Sequence, residues 1–144
     1  MTNDGKELLW SAYDKYWRHT RDIAFVKDIR GVYMGYSQPF AKMAGRAGAD
    51  EIIGKTDFEI FADKELAKRY VDDDARLVEG GRSLENYVEP ITSENGRPRY
   101  CLTSKYILRD EAGDPAGIFG ISRDITVEYE ARQSYENELR NLFE

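Results

Sequence analysis

The sequence predicts a single α+β domain built on a five-stranded antiparallel sheet. Short β-branched and aromatic segments occur twice near the start and three times near the end, with helical patterns between and around them. The length of 144 residues, with 41% hydrophobic and 33% charged residues, is typical of one soluble globular domain. The chain has neither an apolar run long enough for a membrane span nor the apolar core of a signal peptide.

Charge and rare residues narrow the classes of function. The net charge of −6 disfavours nucleic acid or an anionic membrane surface as a partner. Cys101 is the only cysteine, which excludes an internal disulfide and fits the reducing cytoplasm. With His19 as the only histidine, a His/Cys zinc cluster is excluded and no metal site is predicted.

The first predicted element is a helix over residues 4–18, capped by Asn3 or Asp4. It carries a wide aromatic and aliphatic stripe at helical spacing. The stripe packs on the domain's own sheet, or it forms a dimer contact. Its members are Leu9, Trp10, Tyr13, Tyr16 and Trp17.

Two short strands and several brief helices follow. Residues 22–28 and 32–37 predict a hairpin that turns at Gly31. Residues 38–45 predict a short helix with proline near its start and glycine as its stop. Thr56 or Asp57 is placed to cap a further turn that carries Phe58 and Phe61 inward.

Residues 64–79 predict a long helix, with Asp63 as N-cap and glycines 80 and 81 as its end. Its apolar rows are interrupted by Asp73 and Asp74. At least one of these carboxylates therefore faces or borders the buried side of the helix, where it needs a cationic or hydrogen-bonding partner.

The rest of the chain predicts a three-stranded meander and a last helix. The strands are residues 84–92, 98–109 and 115–123, separated by turn signals at 93–96 and 110–114. A polar helix then runs from Asp124-Ile125-Thr126 to the end. One narrow apolar stripe along it either folds back on the sheet or pairs with a second copy. The stripe consists of Val127, Ala131, Tyr135, Leu139 and Leu142.

This order of elements, with several motifs, resembles a PAS domain of the type ending in D-I-T. The two strongest motifs are GKTDFEIF at 54–61 and GISRDIT at 120–126. The resemblance covers residues 21–126, which leaves residues 1–20 as an N-terminal flanking helix and 127–144 as a C-terminal signalling helix. Further matching stretches are FVKD at 25–28, Gly31, Phe40, PIT at 90–92 and LTSK at 102–105.

The resemblance implies a cytosolic sensor module, with short helices and one long helix covering a pocket on one face of the sheet. Output in this family usually belongs to a neighbouring domain, such as a bacterial histidine kinase or a cyclic di-GMP enzyme. No motif of such an output domain, and no catalytic set, occurs in this chain. The chain is therefore expected to be a non-catalytic sensor that precedes an output domain. Ser37 departs from the asparagine often found there, which puts in doubt the polar pocket contact usually made from that position.

No cofactor is identified from the residues. A covalent flavin adduct needs a reactive cysteine on the helical side, whereas Cys101 lies in a predicted strand and is read as a small core residue. Haem commonly needs a histidine on the long helix, which has none. Both groups are disfavoured.

Residues of two kinds are predicted to line a pocket for a small molecule. Aromatic side chains supply apolar area, and two ion pairs supply polar contacts, Asp57 with Lys105 and Asp73 or Asp74 with Arg123. These pairs either neutralise charge at the helix–sheet seam or contact a small amphoteric or carboxylate ligand. The pocket candidates are Phe25, Tyr36, Phe40, Met43, Asp57, Phe58, Phe61, Tyr87, Ser104, Lys105 and Tyr106.

Two functions remain open from sequence. The first is a sensor that binds a small molecule and relays its state through Arg123, Asp124, Ile125 and Thr126 to the last helix, with homodimerisation through the flanking helices. The second is a ligand-free module for dimerisation or docking. An interior cavity favours the first, and a fully packed interior favours the second.

Overall fold

The structure is a computed structural model that describes residues 2–92 and 97–143, without the side chains of residues 91 and 92. The predicted turn at 93–96 lies outside the described residues. A short 3-10 turn over Ala49–Glu51 precedes the third helix. The elements are α1 (Asn3–His19), β1 (Ile23–Asp28), β2 (Tyr33–Tyr36), α2 (Gln38–Ala44), α3 (Asp57–Ile60), α4 (Lys64–Gly80), β3 (Leu84–Thr92), β4 (Pro98–Arg109), β5 (Pro115–Asp124) and α5 (Thr126–Leu142).

The five strands form one antiparallel sheet in the order β2-β1-β5-β4-β3. The meander β3-β4-β5 is sequential, and the N-terminal hairpin adds to it by pairing β1 with β5 from Ile23↔Ser122 to Asp28↔Gly117. This pairing places the first and last strands of the domain side by side. The predicted α+β class and five-stranded antiparallel sheet are confirmed.

Most predicted ends of the helices are confirmed, and one cap is corrected. Asp63 caps α4 by accepting hydrogen bonds from the backbone N–H groups of residues 65 and 66, and Gly81 ends the helix at φ 71°. Helix α1, however, is capped by the Thr2 side chain, which accepts from Gly5 N. Asn3 and Asp4, which were expected to cap it, lie inside the first turn.

Helices α2, α3 and α4 cover one face of the sheet, called the inner face below. The core on this face is aromatic: the Phe40 ring lies 5.8 Å from Phe25, 5.1 Å from Tyr33 and 6.1 Å from Phe61 between centroids. Gly120 on β5 leaves space for the Phe25 ring, because a Cβ at this position would lie 2.3 Å from that ring. The interior beside β1 is therefore filled by interlocking rings.

Helix α1 crosses the opposite, outer face of the sheet. Trp17 is buried and packs edge-on against Phe119 of β5, with ring centroids 6.1 Å apart. The first half of the helix exposes Leu8, Leu9 and Trp10. One end of the aromatic stripe thus packs on the domain's own sheet, and the other end is uncovered. Within the described parts of the chain, no helix is long and apolar enough to cross a membrane.

Candidate ligand site and relay to the last helix

A buried lysine joins the sheet to two helices. Lys27 of β1 donates hydrogen bonds from Nζ to Asp57 Oδ2 of α3 at 2.7 Å and to Asp74 Oδ2 of α4 at 2.6 Å. The side chain of Lys27 is 2% exposed and that of Asp57 is 1% exposed. At this burial, a lysine without its carboxylates would be strongly destabilising. Lys27 is therefore the centre of a charge network under α3 and α4.

Tyr33 completes the surroundings of Asp57. Its hydroxyl donates to Asp57 Oδ1 at 2.5 Å. Burial, reinforced by the Asp57 charge, raises the pKa of Tyr33 far above its ordinary value, so the phenol keeps its proton and remains a donor. Lys27 Nζ also lies 4.9 Å from the centroid of the Tyr33 ring and 5.0 Å from that of Phe25. The two rings thus add cation–π contacts to the ammonium group.

Asp74 lies between two lysines and is bonded to only one of them. Its Oδ1 atom is 3.7 Å from Lys105 Nζ of β4, within ion-pair range but too far for a hydrogen bond. Oδ1 is buried and has no hydrogen-bond partner among the described residues. Asp57 accepts at both carboxylate oxygens, whereas Asp74 accepts at one.

A groove of about 400 Å³ opens beside this network, between α4 and the turn that joins β1 to β2. Lys27, Asp57 and Asp74 contribute to its charged part. The remaining lining is mostly apolar, with charged groups from the turn and from the end of α4. It comprises Asp28, Ile29, Arg30, Gly31, Val71, Ala75, Val78, Glu79 and Ile118.

The structure corrects both predicted ion pairs. Asp57 pairs with Lys27 and not with Lys105, which instead lies near Asp74. The expectation that Asp73 or Asp74 faces the sheet is confirmed for Asp74, but the proposed partner Arg123 is wrong. Arg123 instead pairs with Asp22, with Nε 3.0 Å from Oδ1. The helical period fixed the face of α4, but it carried no information on which strand residue lies opposite.

Several pocket candidates are part of the aromatic core and do not line the groove. Phe40 and Phe61 are buried, and Phe25 and Tyr36 pack partly buried against the same cluster. Of the predicted candidates, Asp57 alone lies among the described residues that line the groove. These aromatic residues form the core that packs next to the charged network, where the Phe25 ring contacts Lys27.

Four other candidates lie away from the inner face. Met43 and Phe58 are exposed, so the expectation that Phe58 points inward is wrong. Tyr106 packs with Phe119 under α1, on the outer face. The side chain of Ser104 points to the face of the sheet opposite to that of its neighbour Lys105, and it accepts a hydrogen bond from the backbone N–H of residue 86. Tyr106 therefore packs on the outer face, and Ser104 contacts the edge strand β3.

Tyr87 is half-buried on β3 opposite Thr103. Burial, together with the negative charges of Glu89, Asp73 and Asp74, raises its pKa to about 12. The phenol is therefore neutral at physiological pH, on the inner face but outside the groove lining.

Ser37 holds the start of the domain together. Its hydroxyl donates to the Asp22 carbonyl at 2.7 Å and accepts from Ala24 N at 2.9 Å and Phe40 N at 3.3 Å. The sequence put in doubt a polar pocket contact from position 37. The three hydrogen bonds of the Ser37 hydroxyl given above all go to backbone groups, and none goes to the groove. Ser37 caps α2 and ties it to β1.

Sequence reasoning missed Lys27 as a site residue. It belongs to the quoted FVKD motif, and strand alternation puts it on the same face as Phe25, which was itself expected to face the pocket. A lysine on the apolar face of a central strand is the signal that would have identified it, because such a charge needs buried partners.

At the other end of the sheet, Asp124 ends β5 and holds the start of α5. Its Oδ1 accepts from Thr126 N at 2.9 Å and from Thr126 Oγ1 at 2.6 Å. Its Oδ2 accepts from Arg99 Nε at 2.8 Å. Partial burial alone would raise the pKa of Asp124, but the bonds from Thr126 and Arg99 outweigh it and hold the pKa below its usual range. Asp124 ends β5 and accepts from the first N–H of α5 as predicted, but the N-cap position itself is occupied by Ile125, whose side chain makes no capping hydrogen bond.

The backbone of β4 fastens the same junction. Ile125 N donates to the Tyr100 carbonyl at 2.8 Å, and Tyr100 N donates to Thr126 Oγ1 at 3.0 Å. The Tyr100 ring stacks on Tyr129 in the first turn of α5, with centroids 3.8 Å apart. The predicted stripe along α5 is exposed at Val127, Tyr135, Leu139 and Leu142.

The fold agrees with comparisons to known proteins. A family profile described as "PAS fold" matches residues 17–130, and the chain belongs to this family of sensor modules. The chain is 32% identical over 110 residues to a diguanylate cyclase of Vibrio cholerae, covering 76% of this chain and 34% of that protein. It is 31% identical over 107 residues to the methanogenesis regulatory histidine kinase FilI of Methanothrix harundinacea, covering 73% of this chain and 11% of the kinase.

A solved structure supports the fold at lower sequence identity. The phage VqmA–DPO complex matches with a TM-score of 0.68 and 20% identity, covering 94% of this chain and 62% of that chain. The two curated relatives are much longer than the matched region, which spans about a third of one and about a tenth of the other. The matches establish a PAS-fold domain with a role in signalling.

Proposed function

We propose that the domain binds a small molecule in the groove beside Lys27 and relays its occupancy to an output domain of the full-length protein. The observation that carries this proposal is the position of Lys27. It touches α3 and α4 at the groove, and it belongs to the strand that pairs directly with β5. A ligand that shifts α4 therefore acts on the strand that leads into the last helix.

The route to the output runs from β5 through Arg123, Asp124, Ile125 and Thr126 into α5. The hydrogen bonds of Asp124 and Thr126 couple the direction of α5 to the ends of β4 and β5. A movement of β5 is thus converted into a rotation or shift of the helix. The names of the curated relatives support a histidine kinase or a cyclic di-GMP enzyme as the output.

Within this proposal the domain itself is non-catalytic, and it works in the cytoplasm without nucleic acid or membrane as a direct partner. Haem and a covalent flavin are not part of it. Cys101 is buried in β4, and burial raises the pKa of its thiol, which disfavours the reactive thiolate form.

Homodimerisation through α1 and α5 is the proposed way in which the signal reaches the output. Both helices expose apolar side chains, among them Leu8, Trp10, Tyr135 and Leu142. Helix α5 is too short to pair stably alone. We therefore propose a weak parallel pairing that becomes firm with the output domain attached.

A second candidate is a ligand-free interaction module. The observation that favours it is the close-packed ring cluster of Phe25, Tyr33, Phe40 and Phe61, which fills the interior beside β1. In that case the groove is only a surface feature, and the exposed helices carry the function.

Native mass spectrometry of the chain, purified after incubation with a cell extract, separates the two candidates. The sensor predicts a bound small molecule that Ala75→Trp removes, because Ala75 is an exposed helical residue in the groove lining. Gln133→Trp, at an exposed position of α5 away from the groove and on the side of the helix opposite its apolar stripe, is the control and should retain the molecule. A ligand retained by both variants would reject the groove as the site. A protein that stays free of ligand throughout would favour the interaction module.

A further inference from the structure

The Asp74 carboxylate is incompletely satisfied. Oδ2 accepts from Lys27 at 2.6 Å, but Oδ1 is buried and accepts no hydrogen bond from the described residues. A buried acceptor in this state carries a desolvation cost that a donor would relieve. Asp74 lies in the wall of the groove, so a ligand there can supply the donor.

A rotation of the Asp74 carboxylate is the movement that would expose this acceptor to the groove that Asp74 lines. The last torsion of an aspartate side chain is broad, so the carboxylate can turn without leaving a rotamer well. Such a turn moves both oxygens together, so the Lys27 ammonium group, which bonds Oδ2 at 2.6 Å, has to follow it. The site thus presents one acceptor to an incoming molecule.

The charges around Asp74 restrict what can approach. Lys27 and Lys105 have their ammonium groups 2.6 Å and 3.7 Å from its two oxygens, so a third cation at Oδ1 would meet two like charges. An anion would meet the carboxylates of Asp57 and Asp74, whose nearest cation already bonds both. A neutral donor avoids both repulsions and still completes the hydrogen bonding.

The remaining lining favours an apolar body. Val71, Ala75 and Val78 of α4 line the groove together with Ile29 and Ile118. A volume of about 400 Å³ is in the range of small-molecule sites and admits one compact ring system. The polar end of such a molecule then lies at Asp74.

We propose that the groove selects a small neutral molecule that carries an N–H donor on a compact apolar or aromatic body, with Asp74 Oδ1 as the acceptor. This inference rests on the proposed function and specifies its ligand class. It differs from the small amphoteric or carboxylate compound that the sequence alone suggests, because in the structure Lys27 pairs with Asp57 and Asp74 and Lys105 lies near Asp74.

Four probes of equal ring size test the inference on the unmodified chain by two-dimensional ¹H–¹⁵N NMR titration. Benzamide is neutral with an N–H donor, methyl benzoate is neutral without one, benzylamine is a cation and benzoate is an anion. We expect shifts at the groove residues and benzamide affinity about tenfold above that of each other probe, which corresponds to about 1.4 kcal/mol. Equal affinities, tighter binding of a charged probe, or no binding of benzamide would overturn the inference.

Variants assign the effect to Asp74. Asp74→Leu keeps the Lys27–Asp57 pair, and it should reduce benzamide affinity to that of methyl benzoate. Ala75→Trp should abolish binding of both probes, and Gln133→Trp should leave it unchanged. If Asp74→Leu does not fold, the four-probe comparison and the two tryptophan variants still test whether the groove prefers a neutral N–H donor. A natural ligand lost in Ala75→Trp, combined with no benzamide preference, would reject the ligand class and leave the proposed function intact.

Discussion

Two ion pairs at opposite ends of the sheet show how burial changes the role of the same interaction. The pair of Lys27 and Asp57 is almost completely buried, whereas Arg99 and Asp124 are 46% and 43% exposed. The distances are similar, with Nζ–Oδ2 at 2.7 Å and Nη2–Oδ2 at 2.5 Å. Water screens the second pair and not the first, so breaking the first should destabilise the fold and breaking the second should only loosen a junction.

Replacement of the buried lysine should have the largest effect. Lys27→Met leaves Asp57 and Asp74 without their shared cation, and it should cost about 3–5 kcal/mol in the free energy of unfolding. Urea denaturation followed by circular dichroism measures this cost. Adding Asp57→Asn and Asp74→Asn to Lys27→Met should recover part of the loss, because no uncompensated charge then remains. A loss under about 1 kcal/mol for Lys27→Met would contradict the burial of the network.

Replacement of the second lysine should have a smaller effect and sharpen the comparison. Lys105 is 16% exposed, and its Nζ lies 3.7 Å from Asp74 Oδ1 without a hydrogen bond. Lys105→Met should therefore cost about 1–2 kcal/mol, clearly less than Lys27→Met in the same denaturation experiment. An equal or larger loss would show that Lys105, not Lys27, is the main cation for the carboxylates.

Removal of the capping carboxylate should act mainly on α5. Asp124→Ala should cost about 1 kcal/mol, the usual value for a lost helix cap. Because the folded pKa of Asp124 is below its usual range, its contribution is full above the ordinary pKa of about 3.9 and is lost as pH falls through the folded value. The stability difference between the unmodified chain and Asp124→Asn should thus shrink as the pH falls below about 5. A difference that grows toward acid pH would reverse the assigned direction of the shift.

The exposed arginine should contribute least to stability. Arg99→Met removes one partner of Asp124 but leaves the two bonds from Thr126. Its cost should be under about 1 kcal/mol, and it should decrease further in 1 M salt. A salt-independent loss of several kcal/mol would show that the Arg99–Asp124 pair is shielded from water as completely as the Lys27–Asp57 pair.

The sequence predicted the fold closely because its signals are local. The strands of the meander were predicted as 84–92, 98–109 and 115–123 and are observed as Leu84–Thr92, Pro98–Arg109 and Pro115–Asp124. Alternation, turn residues and helix caps are encoded within a few neighbouring positions.

The site was predicted less well because it depends on contacts distant in sequence. Asp57 and Asp74 were both identified, but their shared partner lies 30 and 47 residues away on β1. Periodicity indicates which face a residue occupies and not which strand lies opposite. The outward position of Phe58 has a similar cause, since a four-residue helix is too short to show a periodic face.

Hydrogen exchange at the start of α5 tests the central claim, that occupancy of the groove is relayed through β5, most directly. The measurement follows the backbone amides of Tyr129 and its neighbours by NMR at saturating benzamide, in the unmodified chain and in Asp124→Ala. The account predicts changed exchange on binding in the unmodified chain, no change in Asp124→Ala, and probe affinity equal within about twofold. Unchanged exchange in α5 while the groove residues show saturation would contradict the relay.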